Sequence, residues 1–297
     1  MDHCRIAVLG GDRRELHIAE LLREEGHDVA LFSSASTDGS SLPNAASPGD
    51  AVRGAQWIVC PSPGLGDGDV VYSPGSTDRV VLDRSLLSGS DAANGGLVLG
   101  RATPTVAAAA ARLDIAVFEM KDDRSLAISN GTSVAEAVIE LLVGMTDRLL
   151  REHRFLVVGY GATGAPITDY LLDACCPVTV ACRSAAQRAR AEQRGASSVA
   201  YDVRADAMTG ADIVINTVPD VEAVPSEMLS TLVGARIIDI ASPPGGMDHD
   251  RATEIGLDLT WARGLAGRRA PLSVGEAQLA FLKSAMAHRS PSATAPA

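Results

Sequence analysis

Gly159, Gly161 and Gly164 follow the apolar run Phe155–Val158 in G-x-G-x-x-G spacing and precede a helix-like run to Asp173. A turn of this kind binds the pyrophosphate of a dinucleotide. The first glycine permits a tight turn out of a strand, the second lets the backbone approach the phosphates, and the third lets the helix pack close on the strand. The helix N-terminus then turns free N–H groups and a positive dipole end toward the anion. Tyr160, Ala162 and Thr163 complete this expected cofactor turn. Alone the motif is weak, but a second apolar run, Pro177 to Cys182, follows at β-α-β spacing. That context points to a dinucleotide rather than to a plain glycine-rich turn.

The end of the second run selects the dinucleotide. NAD-preferring sites usually place Asp or Glu about 20 residues after the glycines, to hold the ribose 2′-hydroxyl. Here the place reads Arg183-Ser184, with Arg188 and Arg190 further on. A carboxylate would repel a 2′-phosphate, whereas a guanidinium binds it through paired, charge-assisted hydrogen bonds. NADP is therefore the expected cofactor; the alternative is that Arg183 is a solvated surface charge. Two more strand ends belong near the redox ring. Asn216-Thr217-Val218-Pro219 closes one buried run, where Asn216 and Thr217 either bond ribose or carboxamide or form an ordinary turn. Ala241 and Ser242 close another, followed by Pro243-Pro244-Gly245-Gly246. Asp239 in that strand is expected to bond neighbouring backbone, and His249 to face solvent at a helix start with acidic caps.

Near the start, Asp12, Arg13 and Arg14 follow the strand-like run Arg5–Leu9. One of these arginines could clamp a substrate carboxylate, or the three could be a helix-terminal charge cluster. Two arginines oppose the dipole of a helix N-terminus, which tilts the reading toward a ligand role. Ser62, in the turn after the run Ala55–Cys60, lies where open α/β sheets usually bind ligands. No G-x-S-x-G, H-E-x-x-H or Walker A pattern occurs, and no metal site is expected.

The elements that must position these residues alternate. Strands are expected at 5–9, 29–32, 55–60, 97–100 and 115–119, with helices at 15–25 and 104–112, and residues 33–49 read as a mobile loop. Residues 125–130 read as extended. Thr132 or Ser133 then caps a long helix to about 150, with Glu136 completing a capping box. Strands follow at 155–159, 177–182, 199–201, 212–216, 236–241 and 258–261, and a last helix at 271–288. The expected fold is α/β: two Rossmann-like or flavodoxin-like doubly wound domains joined by long helices, with a cofactor cleft between them. Residues 1–132 form the N-terminal substrate domain, on which helix 271–289 packs back. Residues 133–270 form the connecting helix and the NADP-binding Rossmann domain, and 290–297 a disordered tail.

A chain of 297 residues suits two domains. Aromatics are only 3%, so the core must be aliphatic. The net charge of −11 argues against nucleic-acid and anionic-membrane partners, though not against a small anionic substrate held by local arginines. The five cysteines are odd in number and lack C-x-x-C spacing, which suits a reduced, cytoplasmic setting. The opening residues lack a signal peptide's apolar core. No apolar stretch of the roughly 20 residues that span a bilayer is expected.

Several of these segments together resemble the A-subunit family of dipicolinate synthase. They are Ile6 through Arg14, the Gly159–Gly164 turn with Arg183-Ser184, Asn216–Pro219, and Asp239 through Gly246, supported by Asn130–Glu136 and Gly264–Gly267. The resemblance covers nearly the whole chain and is weakest from about 33 to 112. It implies a two-domain architecture like that of 2-hydroxyacid dehydrogenases and NADP-linked oxidation of a dihydropyridine dicarboxylate to the pyridine dicarboxylate. It also implies a flavoprotein-like second subunit; a homodimer is expected from the dehydrogenase shape. By the resemblance Asp12, Arg14, Glu136 and Ser242 are catalytic candidates; Asp12, Arg13, Arg14, Ser62, Thr132 and Ser133 are the expected substrate-binding residues. Asp12, Glu136 or water would take the ring proton. Val134, Arg263, Arg268 and Arg269 depart from the family pattern. Rival readings are another NADPH-dependent imine or methylenetetrahydrofolate-type oxidoreductase, and a non-catalytic NADP-binding subunit.

Overall fold

The computed structural model describes residues 3–34 and 44–289. Their contacts fall into two compact units, one of residues 1–129 and 270–297, the other of residues 130–269.

In the first unit the chain runs β1 (Arg5–Leu9), α1 (Arg13–Glu24), β2 (Asp28–Phe32), α2 (Pro48–Val52), β3 (Trp57–Val59), a small hairpin β4 (Leu65–Gly66) and β5 (Val70–Val71), and α3 (Arg84–Ser88). It continues through β6 (Gly96–Leu99), α4 (Pro104–Ala111), β7 (Val117–Glu119) and the start of α5 (Arg124–Met145). The main sheet is parallel in the order β2-β1-β3-β6-β7. Such sheets are covered on both faces, so their strands read as continuous apolar runs. In β1, Ile6 and Val8 face one core with Ile18 and Leu22 of α1, while Ala7 and Leu9 face the other with Ile58, Leu97 and Leu99. Two-residue alternation across a strand produces that division.

The second unit holds the rest of α5, then β8 (Phe155–Val158), α6 (Gly164–Asp173), β9 (Val178–Cys182), α7 (Ala185–Arg194) and β10 (Ser197–Ala200). After these come α8 (Ala205–Thr209), β11 (Ile213–Asn216), β12 (Arg236–Asp239), α9 (His249–Glu254), β13 (Asp258–Trp261) and α10 (Leu265–Arg269). All six strands are parallel in the order β10-β9-β8-β11-β12-β13. That is the Rossmann order, which reverses direction of winding between β8 and β11. Phe155, Val157, Ile213 and Ile215 pack with Val138 and Leu142 of α5 on one face; Leu156, Val158, Val214 and Ile237 pack with Met208 and Ala252 on the other. The chain then returns to the first unit as α11 (Pro271–Arg289), which packs on α1. A side chain at Gly275 would crowd Arg14 O, so the glycine sets this close approach.

Four expectations need correction. Residues 125–130 are helical, and α5 begins at Arg124, with Asp123 Oδ1 accepting from Leu126 N at 2.7 Å. Thr132 and Ser133 therefore lie inside the helix and do not cap it. Gly131, inside this helix, serves packing: a Cβ there would overlap Ala162 O of the glycine turn. The same continuous helix is, by length and by a mean hydropathy of 1.4, apolar enough to cross a membrane, against the expectation of no such stretch. Here its apolar face, including Ala135, Val138 and Leu142, is core. In the supposed loop 33–49, Ser47 caps α2 by accepting from Asp50 N, while 35–43 lies outside the described residues, as does the tail 290–297. The hairpin β4–β5 and helix α3 form between 61 and 96, where no element was expected.

Candidate dinucleotide turn and anion cluster

In the second unit, β8 ends at Val158 and the chain turns at Gly159 with φ +97°, a conformation that favours glycine. A Cβ at Gly159 would lie 2.8 Å from Val218 Cγ2, and one at Gly164 would overlap Gly159 O. Gly161 is different, because a Cβ there meets nothing within 4 Å. The turn is thus packed hard on the side of α6 and open at its middle glycine. Thr163 stands at the N-cap of α6, where no side chain caps the helix. The orphan N–H groups of a helix end need acceptors, and this end keeps its polarity available for an anion. Thr217 Oγ1 donates to Val158 O at 2.9 Å and ties the end of β11 to that of β8, at the point where the sheet order reverses.

Not every neighbouring side chain is free to meet a ligand. Asn216 is fully buried: its Nδ2 donates to Val218 O and to Asp239 Oδ1 at 2.8 Å, and its Oδ1 accepts from Val218 N. It forms the turn, so any cofactor contact of Asn216–Pro219 must come from Thr217, Val218 or Pro219. The Tyr160 ring is buried and lies under Arg190, 5.8 Å from its guanidinium carbon, which leaves only backbone to the turn. Ser184 caps α7 by accepting from Gln187 N. Arg188 Nη1 donates to Cys182 O and Arg183 O and so braces the turn that carries Arg183. Arg183 itself is exposed, lies 4.8 Å from the Tyr201 ring centroid, and forms an ion pair with Asp220 at 2.7 Å. The Glu222 N–H and the Arg183 guanidinium hold Asp220 below the usual carboxylate range.

Beyond β12, the chain makes a polar knot where the residues alone suggested a free histidine. Asp239 is fully buried and accepts from Asn216 Nδ2, Ala241 N, Gly246 N and His249 Nε2. His249 faces this carboxylate at 2.8 Å, with its ring 4.1 Å from that of Trp261, and does not stand free in solvent as expected. A buried carboxylate is tolerated only when its lone pairs are occupied in this way. Ser242 beside the knot is exposed. The remaining second-unit candidates are engaged elsewhere. Glu136 pairs with Arg269 at 3.1 Å and accepts from Tyr170 Oη at 3.2 Å, and Ser133 Oγ donates to Ala266 O. Thr132 is half-buried. The departures Arg269 and Arg263 have partners too: Glu136 for the first and the Trp261 ring for the second.

In the first unit, β1 and β3 end together where that sheet reverses its order. Gly11, with φ +92°, leads into Asp12, the N-cap of α1. Asp12 and Glu15 form a reciprocal capping box, Glu15 Oε2 accepting from Asp12 N at 2.9 Å. Asp12 also takes a bidentate pair from Arg14, Nε to Oδ1 at 2.9 Å and Nη2 to Oδ2 at 2.8 Å. Arg14 Nη1 reaches Ser62 Oγ at 3.4 Å. Asp12, Arg14 and Ser62 are thus brought together, while Arg13 points outward and is exposed. Burial works against the Arg14 cation, but the hydrogen bond to Asp12 and the charges of Glu15 and Asp12 outweigh it and hold its pKa above the ordinary value.

Glu15 is the residue whose importance only the fold reveals. It is completely buried, and burial pushes its carboxyl up to about 7 despite the opposing charge of Arg14. Its Oε1 has no hydrogen-bond partner among the described residues. The nearby Cys60 thiol is pushed up to about 12 by burial and, secondarily, by Glu15, so it stays neutral. The D-x-x-E spacing from Asp12 was the available signal. No group of three or more potential metal ligands occurs among the described residues.

Known proteins resemble this chain in sequence and fold. The chain is 30% identical over 279 residues to the dipicolinate synthase A-subunit of Bacillus subtilis, covering 92% of both. It belongs to the A-subunit family of dipicolinate synthase. A family model of the N-terminal domain of that A-subunit matches residues 5–121, and one of the acetohydroxy acid isomeroreductase NADPH-binding domain matches residues 149–233. The crystal structure of the dipicolinate synthase A-subunit from Bacillus halodurans is similar with a TM-score of 0.80 at 21% identity, covering 96% of this chain and 98% of that one. The corresponding crystal structure from Bacillus subtilis gives 0.79 at 26%, covering 97% of each chain. The family resemblance read from Gly10–Arg14 and Asp239–Gly246 is therefore correct. The unit bearing the glycine turn is of the nicotinamide-dinucleotide type.

Proposed function

We propose that this family member is an NADP(H)-dependent oxidoreductase that moves hydride between NADP and a small dihydropyridine dicarboxylate, acting with a second, flavoprotein-like subunit. The observation that carries the reading is the full-length kinship to one subunit of dipicolinate synthase, joined to a glycine turn with one open side. That turn fits a pyrophosphate: the space beside Gly161 is empty of protein, and the N-terminus of α6 has no side-chain cap. Backbone from Gly161 to Gly164 would hold the diphosphate, with Arg183 and Ser184 at the 2′-phosphate, Arg188 bracing them, and Thr217–Pro219 and Ala241–Ser242 along the nicotinamide half. When bound, NADP+ supplies the hydride acceptor.

The protein's share of the chemistry is modest. Loss of a hydride and a proton from the ring leaves an aromatic product, so product stability drives the step. Orientation of the ring is then the main task. Arg14, whose Nη1 reaches Ser62 Oγ, is the cation offered to the substrate carboxylates, and Arg13 points outward from the cluster. Asp12 has both oxygens on Arg14, and Glu136 is held by Arg269 and Tyr170. Neither carboxylate is free, which favours water as acceptor of the ring proton. The five free cysteines suit a reducing, cytoplasmic setting. The test is direct: purified protein with NADP+ and the dihydropyridine dicarboxylate should gain NADPH absorbance, with or without the second subunit. No gain under either condition refutes the reading.

A further inference from the structure

The turn after β1 carries more charge than a substrate clamp needs. Asp12 and Arg14 neutralise one another through their two short hydrogen bonds. Glu15 then sits behind them, wholly buried, one oxygen on Asp12 N and the other without a partner among the described residues. Gly11 makes room for it, since a Cβ there would lie 2.6 Å from Glu15 Cβ. A carboxylate in that position adds a full negative charge next to Arg14 in a medium of low polarity, where charges act strongly on one another. A neutral carboxylic acid adds none.

We propose that Glu15 is a positioning residue that sets the anion affinity of the Asp12–Arg14–Ser62 cluster through its own proton. With the proton, the cluster is neutral overall and Arg14 is able to attract a carboxylate. Without it, the cluster carries a net negative charge and repels one. The inference rests on the reading that this cluster receives a substrate carboxylate. The groups that face Glu15 are few. The turn and α1 contribute Asp12 and Arg14, and the end of β3 contributes Cys60, which stays neutral throughout the range; Tyr72, after β5, acts on Arg14. Titration therefore falls to Glu15, and burial places it near neutrality.

By linkage, an anion that favours the protonated form must draw a proton in as it binds. The probe is pyridine-2,6-dicarboxylate, added to the full chain saturated with NADPH and followed by calorimetry. Its Kd should rise on the order of tenfold from pH 6 to pH 8, a coupling of ordinary size. Glu15→Gln, which mimics the protonated acid, should hold the pH 6 affinity across the range. Measured at pH 7.5 in two buffers of different ionisation enthalpy, binding to the parent should take up a fraction of a proton; this arm needs no variant to fold. Stability supplies a second readout. A carboxyl raised from 4.5 to about 7 favours the folded state at low pH, and that contribution is lost as pH rises from about 4.5 to about 7. The parent's Tm should fall over this window more than that of Glu15→Gln. Binding that ignores pH, or whose pH dependence persists in Glu15→Gln, or that takes up no proton, overturns the inference and leaves the substrate reading standing. Absence of binding at every pH overturns both.

Discussion

Each unit opens with the same device, a first strand that runs through glycine into a helix at the reversal point of a parallel sheet, and the two turns are finished in opposite ways. After β8 the glycine turn is closed against its own helix but open at Gly161, and the end of α6 has no side-chain cap. After β1 the corresponding space is filled by the protein itself: Asp12 and Glu15 cap α1, and Arg14 folds back onto Asp12. A helix N-terminus accepts one set of negative partners. In the first unit two carboxylates from the chain already occupy that role. On the function proposed above, the difference suits one turn to a dinucleotide and the other to a smaller anion. Fold alone would not separate them, since function resides in the site rather than in the architecture.

The largest effect that could break this contrast comes from the glycines. Gly164→Ala drives a methyl group into Gly159 O, a backbone atom that cannot step aside. Loss of more than about 4 kcal/mol, or failure to fold, is expected. Gly161→Ala meets nothing within 4 Å, so its Tm should match the parent. Its affinity for NADPH, followed by fluorescence titration, should nonetheless fall by roughly a factor of ten or more, because the methyl group occupies the space meant for the diphosphate. If Gly161→Ala binds NADPH as the parent does, the open side of the turn is not where the phosphates lie.

Next in size is the closed turn. Arg14→Met keeps the bulk of the buried stem but removes the charge that Asp12 and Glu15 face. Breaking one side of a buried ionic cluster costs about 3 kcal/mol or more, read as a shift of the urea midpoint at pH 8. The loss should shrink at pH 6, where Glu15 holds its proton. A variant as stable as the parent at both values would show that the cluster is solvated and that the two turns differ less than their hydrogen bonds indicate.

How much of this was legible in the residues depends on how local the cause is. The strands of both sheets were readable because buried parallel strands are short apolar runs, and G-x-G-x-x-G marked its turn through backbone demands that any neighbour would respect. The extended reading of 125–130 and the cap placed at Thr132 or Ser133 were misreadings, since the helix runs on from Arg124 through Gly131, a glycine that answers to Ala162 some thirty residues away. Glu15 entered only as the first residue of the helix expected at 15–25, and its complete burial is a tertiary property. His249 was taken for a surface residue because its partner Asp239 is ten residues distant and reachable only past Gly245 and Gly246. Local chemistry identified the turns; what fills or empties them is decided by tertiary neighbours.

The smallest expected effect sharpens the open turn by asking which dinucleotide it takes. Arg183 is exposed and already paired with Asp220, 37 residues further on, so a 2′-phosphate must compete with a carboxylate for it. A dianionic phosphate offers three acceptor oxygens and the higher charge, and wins that competition where the carboxylate can turn back to solvent. Solvent screening limits the gain at such an exposed site. Arg183→Asp should therefore weaken NADPH binding by on the order of tenfold, about 1.4 kcal/mol, and bring NADH to equal or better affinity, both measured by titration at low salt. Asp220→Asn should do the reverse and tighten NADPH a few-fold by freeing the guanidinium, with little effect on NADH. Equal affinity of the parent for the two cofactors would mean that the Arg183–Asp220 pair is a structural clasp onto Tyr201, and that the open turn reads only the diphosphate.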